Sequence, residues 1–186
     1  MKQTLYWETF DSPLGKITVC CSSQGLRDLS LGSRQKLRGR RNGSHHLNVS
    51  PGVNGSPEVQ WLRAHQNNKE KGARLARRAV AELNEYVAGR RKRFTVPLDL
   101  QGTPFQLKVW RALLRIPYGK TRSYQQIARA VGNSRASRAV GMANHYNPVA
   151  IIVPCHRVIA SDGSLGGYAG GLKRKTQILR LERAGL

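Results

Sequence analysis

A cysteine and a histidine stand side by side at the end of an aliphatic run, and this pair is the best candidate for chemistry in the chain. The run Val149 to Val153 ends at Pro154, and Cys155 and His156 follow directly. A thiolate is a strong nucleophile, and an adjacent imidazole can take the proton from its thiol. Most free cysteines are buried and behave as small hydrophobic side chains, so the pair alone favours a structural role. A third group and a pocket are needed before the pair can react.

The segments on either side of the pair indicate how it is positioned. The run before the thiol is rich in β-branched residues, so it predicts a short buried strand that acts as a rigid arm with Cys155 at its tip. The stretch 162–171 after it is rich in glycine but lacks the spacing of a nucleotide-phosphate loop. We interpret this stretch as backbone that contacts a flat ligand closely, with Tyr168 as a wall.

Three short helices are predicted between about residue 97 and the cysteine. Thr103 to Gln106 and Ser123 to Gln126 each have the pattern of a capping box, and Asn133-Ser134 is predicted to cap the third helix. The second and third helices meet at Gly132, which is typical of a helix-turn-helix; a plain pair of packed helices is the alternative. The third helix is predicted to carry four residues inward, namely Ala136, Ala139, Val140 and Ala143. Its outward arginines and small residues suit approach to a nucleic-acid backbone or a narrow groove.

The charge of the chain points to a polyanionic partner. Lys and Arg number 32 against 10 Asp and Glu, which gives a formal net charge of +22. This exceeds what solubility requires, and the short apolar runs do not form the continuous face of a membrane-surface helix, so nucleic acid is the better partner. Three cysteines, two of them adjacent, do not make a disulfide framework. With no signal peptide and no apolar run of about 20 residues, we predict a cytoplasmic protein that does not bind membranes.

The N-terminal half predicts a second structural unit. Residues 4–31 read as two or three antiparallel strands, and 73–88 as a helix that ends at Gly89, with Glu82 on its polar side. Between them, the basic stretch at about 33–58 is rich in Gly, Ser and Asn and predicts a loop or partly disordered insertion. His45 and His46 lie in it without partners at ligand spacing, so no metal site is predicted. We expect two domains, 1–96 and 97–186.

The segment Asn147 to Val158 resembles the active-site signature of the O6-alkylguanine-DNA alkyltransferases. Its centre is Pro154-Cys-His-Arg-Val, and Tyr124-Gln-Gln, Arg138-Ala-Val-Gly and the glycine-rich loop with Tyr168 appear in the family's order. The similarity covers most of the chain and is dense from about Phe105 to Glu182. It implies an α/β (α+β) fold. The N-terminal domain would be ribonuclease-H-like, with a small antiparallel sheet and helices. The C-terminal domain would be a helical winged helix-turn-helix that carries the active site.

The resemblance also implies a reaction. The family rotates a damaged base out of duplex DNA, so the expected activity is that of a methylated-DNA–protein-cysteine methyltransferase. The alkyl group, methyl in the simplest case, would pass irreversibly from O6 of guanine to Cys155, once per molecule and without a cofactor. His156 would take the thiol proton through a water, and Glu182 would orient the imidazolium. Tyr124 would protonate the departing guanine, and Asn147 would brace the base of the arm.

Two further sets of residues follow from the same resemblance. The guanine pocket would be lined by Val158, Gly166, Tyr168, Ala169 and Gly170. Contacts to DNA would come from Arg138, Arg135, Ala136, Ser123 and Thr121. Among these, Arg138 would fill the space that the flipped base leaves.

Several points stay open in this interpretation. Ser22 and Arg27 stand where some relatives have zinc ligands, so we expect no zinc. Ala150 and Ala169 replace a proline and a serine of some relatives, which leaves the accepted alkyl size open. Repair of O4-alkylthymine and cooperative binding by an otherwise monomeric protein are also open. A non-catalytic lesion-binding protein or winged-helix DNA-binding protein is the alternative, and a cysteine hydrolase is a weaker one, because neither the charge nor the helix-turn-helix would serve it.

Overall fold

The computed structural model describes residues 3–31 and 59–185. The chain forms two compact units, Met1–Gln101 and Gly102–Leu186. The boundary between the two units lies a few residues after the predicted domain boundary at Val96–Pro97, because the segment after Pro97 pairs with residues of unit 1. Leu26 N donates to Pro97 O over 2.7 Å, and Asp99 N donates to Leu26 O over 2.9 Å. The predicted loop at 33–58 lies outside the described residues.

Unit 1 is built on a four-stranded sheet with the order β3-β2-β1-β4. The strands are β1 (Gln3–Phe10), β2 (Ile17–Cys21), β3 (Leu26–Leu31) and β4 (Val59–Arg63). The first three are antiparallel, as the turn signals predict, and a short 3-10 helix, Ala64–Gln66, follows β4. β4 was not predicted and pairs with β1 in parallel, so the sheet is mixed.

The helix α1 (Lys71–Val87) packs on this sheet through small and apolar residues. Ala76, Ala79, Leu83 and Tyr86 are fully buried on it. The approach to the sheet is close at Gly72, where a Cβ atom would lie 2.4 Å from the ring of Tyr6. The helix therefore needs its smallest residues where it crosses the strands.

Glu82 on α1 is buried, against the prediction that it lies on the polar side. Its carboxylate accepts hydrogen bonds from Thr95 N over 2.7 Å, Val96 N over 3.2 Å and Arg78 Nε over 3.0 Å. Burial raises the pKa of this carboxyl, but the hydrogen bonds from Thr95, Arg78 and Val96 outweigh burial and leave the pKa below its ordinary value. Glu82 thus fixes the segment that follows α1.

Unit 2 is helical, with one pair of two-residue strands. Its elements are α2 (Pro104–Leu113), β5 (Arg122–Ser123), α3 (Tyr124–Ala130), α4 (Ser137–His145), β6 (Val158–Ile159) and α5 (Leu172–Ala184). The capping boxes at Thr103 and Ser123 are confirmed, with both reciprocal hydrogen bonds present. β5 and β6 pair in parallel. The small sheet unit followed by a helical unit confirms the predicted fold class.

The helix-turn-helix is formed by α3 and α4, which pack together around a turn at Gly132 with φ +83°. The start of α4 was predicted too early. Its N-cap is Ala136, without a side-chain cap, because Asn133 Oδ1 instead accepts a hydrogen bond from Arg135 N within the turn. Ala139, predicted to face inward, is exposed. The other three residues predicted to face inward, Ala136, Val140 and Ala143, are buried, and Asn144 joins them.

No helix among the residues that the structure describes is both long and apolar enough to cross a membrane.

Candidate active site

The aliphatic run before the cysteine forms tight turns and not the predicted strand. Val153 N donates to Val149 O over 2.9 Å, and Ile152 N donates to Ala150 O over 2.9 Å. Ile151 occupies the left-handed region with φ +72°, which is rare for a β-branched residue. All side chains from Ile151 to Val158 are buried, so the surrounding core holds this conformation in place. The arm is rigid, as predicted, but its rigidity comes from compact turns.

Asn147 ties this turn to the thiol. Its Nδ2 donates to Val153 O over 2.7 Å and to Cys155 Sγ over 3.2 Å, and its Oδ1 accepts from Val149 N over 3.0 Å. Burial raises the pKa of the Cys155 thiol, while the hydrogen bond from Asn147 and the positive charge of Lys175 oppose that shift. The resting group is therefore a thiol with two neighbours that favour the thiolate.

Cys155, His156 and Arg157 form a 3-10 helix, which directs the imidazole and the guanidinium into the protein. His156 is fully buried, and its Nε2 lies 3.0 Å from Oε1 of Glu182 on α5. A carboxylate beside Nε2 favours the tautomer with its proton on that nitrogen, which leaves Nδ1 as an acceptor. Nδ1 is buried and has no hydrogen-bond partner among the described residues.

Arg157 completes this buried cluster and was not predicted as a site residue. Its guanidinium binds both carboxylate oxygens of Glu182, with distances of 2.9 Å from Nε to Oε2 and 2.7 Å from Nη2 to Oε1. Nη1 donates to Ile116 O over 2.6 Å. Burial lowers the pKa of His156, and although the Glu182 carboxylate opposes this, the positive charges of Arg157 and Lys175 add to it. The imidazole is therefore neutral at pH 7 and able to accept a proton.

Lys175 is a second buried cation that the sequence interpretation missed. Its Nζ donates to Val158 O over 2.6 Å and also to Leu165 O, which joins the strand after the cysteine to the loop beyond it. Burial lowers the pKa of Lys175 to about 8, although the charge of Cys155 opposes the shift. Lys175, Ile178, Leu179 and Glu182 are the buried residues of α5, with the spacing of one helix face. That spacing could have placed both charged residues on the buried face.

A cavity of about 520 Å³ opens in front of the cysteine. Its lining residues are Tyr124, Gly141, Met142, Asn144, His145, Cys155, Gly167, Tyr168 and Ala169. The predicted site residues Cys155, Tyr124, Tyr168 and Ala169 are therefore brought together. The four lining residues from α4 were not predicted as a wall, because the sequence interpretation assigned that helix to DNA contacts and core packing alone.

The other predicted pocket residues lie beside the cavity and not in its lining. Val158 is buried in β6. Gly166 has φ +61°, and a Cβ there would lie 3.0 Å from the Tyr124 hydroxyl, so the glycine allows the loop to touch the tyrosine. Gly170 O accepts a hydrogen bond from Arg174 at the start of α5. Val158, Gly166 and Gly170 therefore lie behind the lining residues and support them.

Tyr124 stands at the first position of α3 and faces the thiol across the cavity. Burial, and then the charge of Cys155, raise the pKa of its hydroxyl. The pKa of Tyr168 is raised well above its usual value by the same two causes. Both phenols therefore keep their protons at neutral pH, and the hydroxyl of Tyr124 is a hydrogen-bond donor to whatever occupies the cavity.

The predicted DNA contacts lie on the helix-turn-helix, but they are not equally accessible. Arg135 and Arg138 are exposed, whereas Ala136 is only 9 % exposed at the N-cap of α4. Thr121 and Ser123, just before α3, line a shallow polar depression together with Arg129 from the last turn of α3. Residues 102–186 contain 14 Lys and Arg but only two carboxylates, Asp162 and Glu182. Since Glu182 is buried in its own cluster, the surface of unit 2 is strongly positive.

Within residues 3–31 and 59–185, no group of three or more His, Cys, Asp and Glu side chains is arranged to hold a metal. Ser22 and Arg27 stand where some relatives have zinc ligands. Ser22 Oγ donates to Asp99 Oδ2 over 2.6 Å, and Arg27 lies 3.7 Å from the same carboxylate oxygen. His45 and His46 fall outside the described residues.

Fold and site thus define a helix-turn-helix protein with a buried nucleophilic cysteine.

The chain belongs to the 6-O-methylguanine DNA methyltransferase family. Residues 5–100 match the ribonuclease-like domain of that family, and residues 104–184 match its DNA-binding domain. The family resemblance seen in the sequence is thereby confirmed.

Individual relatives are similar over nearly the whole chain. The methylated-DNA–protein-cysteine methyltransferase of Mycobacterium tuberculosis is 41 % identical over 97 % of this chain and 93 % of its own length. The constitutive enzyme of Bacillus subtilis is 51 % identical over 67 % of this chain and 76 % of its own. Among solved structures, M. tuberculosis OGT in complex with DNA has a TM-score of 0.74 at 40 % identity and covers 97 % of this chain and 94 % of its own.

Proposed function

We propose that this protein repairs DNA directly, by moving an alkyl group from O6 of guanine to Cys155. The observation that carries the proposal is the Cys155 thiol, held by Asn147 at a cavity wall with the buried His156–Glu182 pair beside it. Family membership and the similarity to methylated-DNA–protein-cysteine methyltransferases along nearly the full chain support this reaction over a non-catalytic binding protein. Such a binder would not need a thiol next to a buried imidazole–carboxylate pair.

The transfer is a displacement at the alkyl carbon. The thiol proton passes through a water to Nδ1 of His156, the nitrogen without a protein partner. Glu182 stabilises the imidazolium that forms, in the manner of the acidic member of a catalytic triad. The thiolate sulfur then bonds to the alkyl carbon as the bond from that carbon to O6 breaks, and the electron pair of the broken bond stays on guanine.

The departing guanine needs a proton, and Tyr124 is placed to donate it. Its hydroxyl keeps its proton at neutral pH because burial and the charge of Cys155 raise its pKa. Donation of a proton to a leaving anion lowers the barrier for departure. The product is a thioether, which water does not displace readily, so each molecule reacts once.

The partner we propose is duplex DNA that contains O6-alkylguanine, bound by a monomer through the positive face of unit 2. A target atom inside a duplex cannot reach a buried thiol, so the nucleotide must rotate into the cavity. Arg138 is exposed on α4, on the opposite side of that helix from its buried residues, and is placed to fill the vacated space. Action on chromosomal DNA in the cytoplasm is part of this proposal.

The decisive experiment is an intact-mass measurement after mixing the protein with duplex DNA that contains O6-methylguanine. We expect one methyl group per molecule, located on Cys155 by peptide mapping, and no second turnover with excess DNA. Cys155→Ala should show no adduct, whereas Cys20→Ala, at another buried cysteine, should react like the parent. Binding of the DNA without an adduct in the parent protein would contradict the proposal.

A further inference from the structure

Asn144 on α4 lines the cavity in front of Cys155 and has an unsatisfied amide. The residue is 9 % exposed, and neither Nδ2 nor Oδ1 has a hydrogen-bond partner among the residues that the structure describes. A buried amide without partners is unfavourable for the folded protein, and buried polar groups are seldom left in this state. Its position in a cavity wall indicates that the partner arrives with the substrate.

The backbone around Asn144 is held firmly, so its amide cannot easily move to find a protein partner. Trp110 Nε1 donates to the carbonyl oxygen of the preceding Ala143 over 2.8 Å. The carbonyl oxygen of Asn144 itself accepts from Asn147 N over 3.2 Å. Asn144 is thus fixed to the same turn that carries the thiol.

A comparison with Asn147 shows that a neighbouring asparagine has partners where Asn144 has none. Asn147 follows three residues later, and its amide makes three hydrogen bonds to the arm. On the other side of the cavity, the hydroxyl of Tyr168 is also buried without a partner. Among the described residues of unit 2, the side chains with an unsatisfied buried polar atom are Asn144 and Tyr168, which line the cavity, and His156, which follows Cys155.

We infer that Asn144 is a specificity-determining residue whose Nδ2 donates a hydrogen bond to a ring nitrogen of the base in the cavity. Alkylation at O6 fixes guanine in the form without a proton on N1, so N1, N3 and N7 all accept hydrogen bonds. A donor in the wall matches this base, and a primary amide provides two N–H groups. The inference rests on the proposed function and assigns Asn144 to recognition of the base, while Asn147 acts on the thiol.

The test compares Asn144→Leu and Asn144→Asp with the parent protein. Leucine removes both polar groups at similar volume, and aspartate keeps the shape and the acceptors but loses the donors. The rate of Cys155 methylation by free O6-methylguanine base should fall about 3- to 10-fold in both variants, the value of one neutral hydrogen bond. Alkylation of Cys155 by iodoacetamide, which needs no base recognition, should proceed at the parent rate in Asn144→Leu. The carboxylate of Asn144→Asp lies in the same cavity wall as the thiol and disfavours the thiolate, so its methylation rate is first divided by its iodoacetamide rate.

The controls separate recognition from folding and from the reaction itself. Ser30→Ala removes another buried polar group without a partner, in unit 1, and should leave both rates unchanged. Asn144→Leu should melt no lower than the parent, because it removes an unsatisfied group. Parent-like methylation of Asn144→Leu would overturn the inference, and parent-like methylation of Asn144→Asp would overturn the role of the donor. Absence of methylation in the parent would instead count against the proposed function.

Discussion

Nε2 of His156 lies 3.0 Å from Oε1 of Glu182, and neither side chain is exposed to solvent. The same carboxylate binds the guanidinium of Arg157, so one acid serves two basic side chains. Gly119 N also donates to this carboxylate, over 3.1 Å. Glu182 is therefore a positioning residue as well as a structural one, and the two roles require separate measurements.

Glu182→Gln should slow methyl transfer by roughly 100-fold, the lower end of the usual contribution of acid–base catalysis. The amide keeps the shape but cannot stabilise an imidazolium, and it leaves Arg157 without its anion, which should cost about 3 kcal/mol of stability. A purely structural role would leave the pH dependence of the rate unchanged. Because the Glu182 carboxylate raises the pKa of His156 against the effect of burial, its loss should move the acidic limb of the pH–rate profile to lower pH.

Glu85→Gln is the matched control for this variant. Glu85 is a partly exposed acid on α1 that pairs with Arg91. Its substitution should change neither the rate nor the acidic limb. An unchanged limb in Glu182→Gln would argue that the carboxylate acts on stability alone.

Lys175→Gln should reduce the reactivity of Cys155 in a manner that depends on pH. The charge of Lys175 lowers the pKa of the Cys155 thiol against burial, and its own pKa is about 8. The benefit is present below that pH, where the ammonium is charged, and is lost as the pH rises through it. The ratio of parent to variant rates should be about tenfold at pH 7 and approach one above pH 9.

Iodoacetamide alkylation of Cys155 between pH 6 and 10 measures this ratio directly. Lys173→Gln, at an exposed position on the same helix, should match the parent throughout. A ratio that stays constant across the range would show that Lys175 acts through packing and not through its charge.

Arg138→Ala should slow repair of duplex DNA by at least about tenfold and leave the reaction with the free base unchanged. The reason is that its side chain is exposed on α4 and belongs to no wall of the cysteine cavity. Single-turnover rates with both substrates give the comparison, and Arg111→Ala on α2 is the exposed control. Equal slowing with duplex and free base would exclude a role in base flipping.

Glu82→Gln should destabilise unit 1 by about 2 kcal/mol at pH 7, because a charged acceptor of several buried donors is lost. The pKa of Glu82 is lowered in the folded protein, so its contribution is complete above the ordinary value of 4.5 and disappears as the pH falls through the lowered one. The difference between parent and variant in urea unfolding should be full at pH 7 and should shrink as the pH is lowered below 4.5. Methyl transfer at 25 °C should be unchanged.

Local chemistry predicted the helices of unit 2 well. The capping boxes at Thr103 and Ser123 depend on residues within one turn, so the sequence determines them without the rest of the fold. The turn before α4 was harder, because Asn133 can cap a helix or close a turn, and packing against α3 selected the turn. That choice moved the N-cap of the helix from Asn133-Ser134 to Ala136.

Long-range contacts set the features that the sequence did not predict. Val149 to Val153 has the composition of a strand, but the side chain of Asn147 bonds to both ends of the run and folds it into turns. Lys175 is a residue type that is almost always exposed, and only the carbonyls of Val158 and Leu165 make its burial tolerable. The pairing of His156 with Glu182 came from the family resemblance, since 26 positions separate the two in the chain.

Burial of Cys155 has a consequence for how long the protein stays useful. Peroxides and small electrophiles attack the thiolate, and the raised pKa keeps the resting sulfur protonated. A repair protein that is consumed by its own reaction cannot recover a molecule lost to a stray oxidant. The low resting reactivity therefore preserves the unspent pool, and the number of lesions a cell can clear without new synthesis equals the number of molecules in that pool.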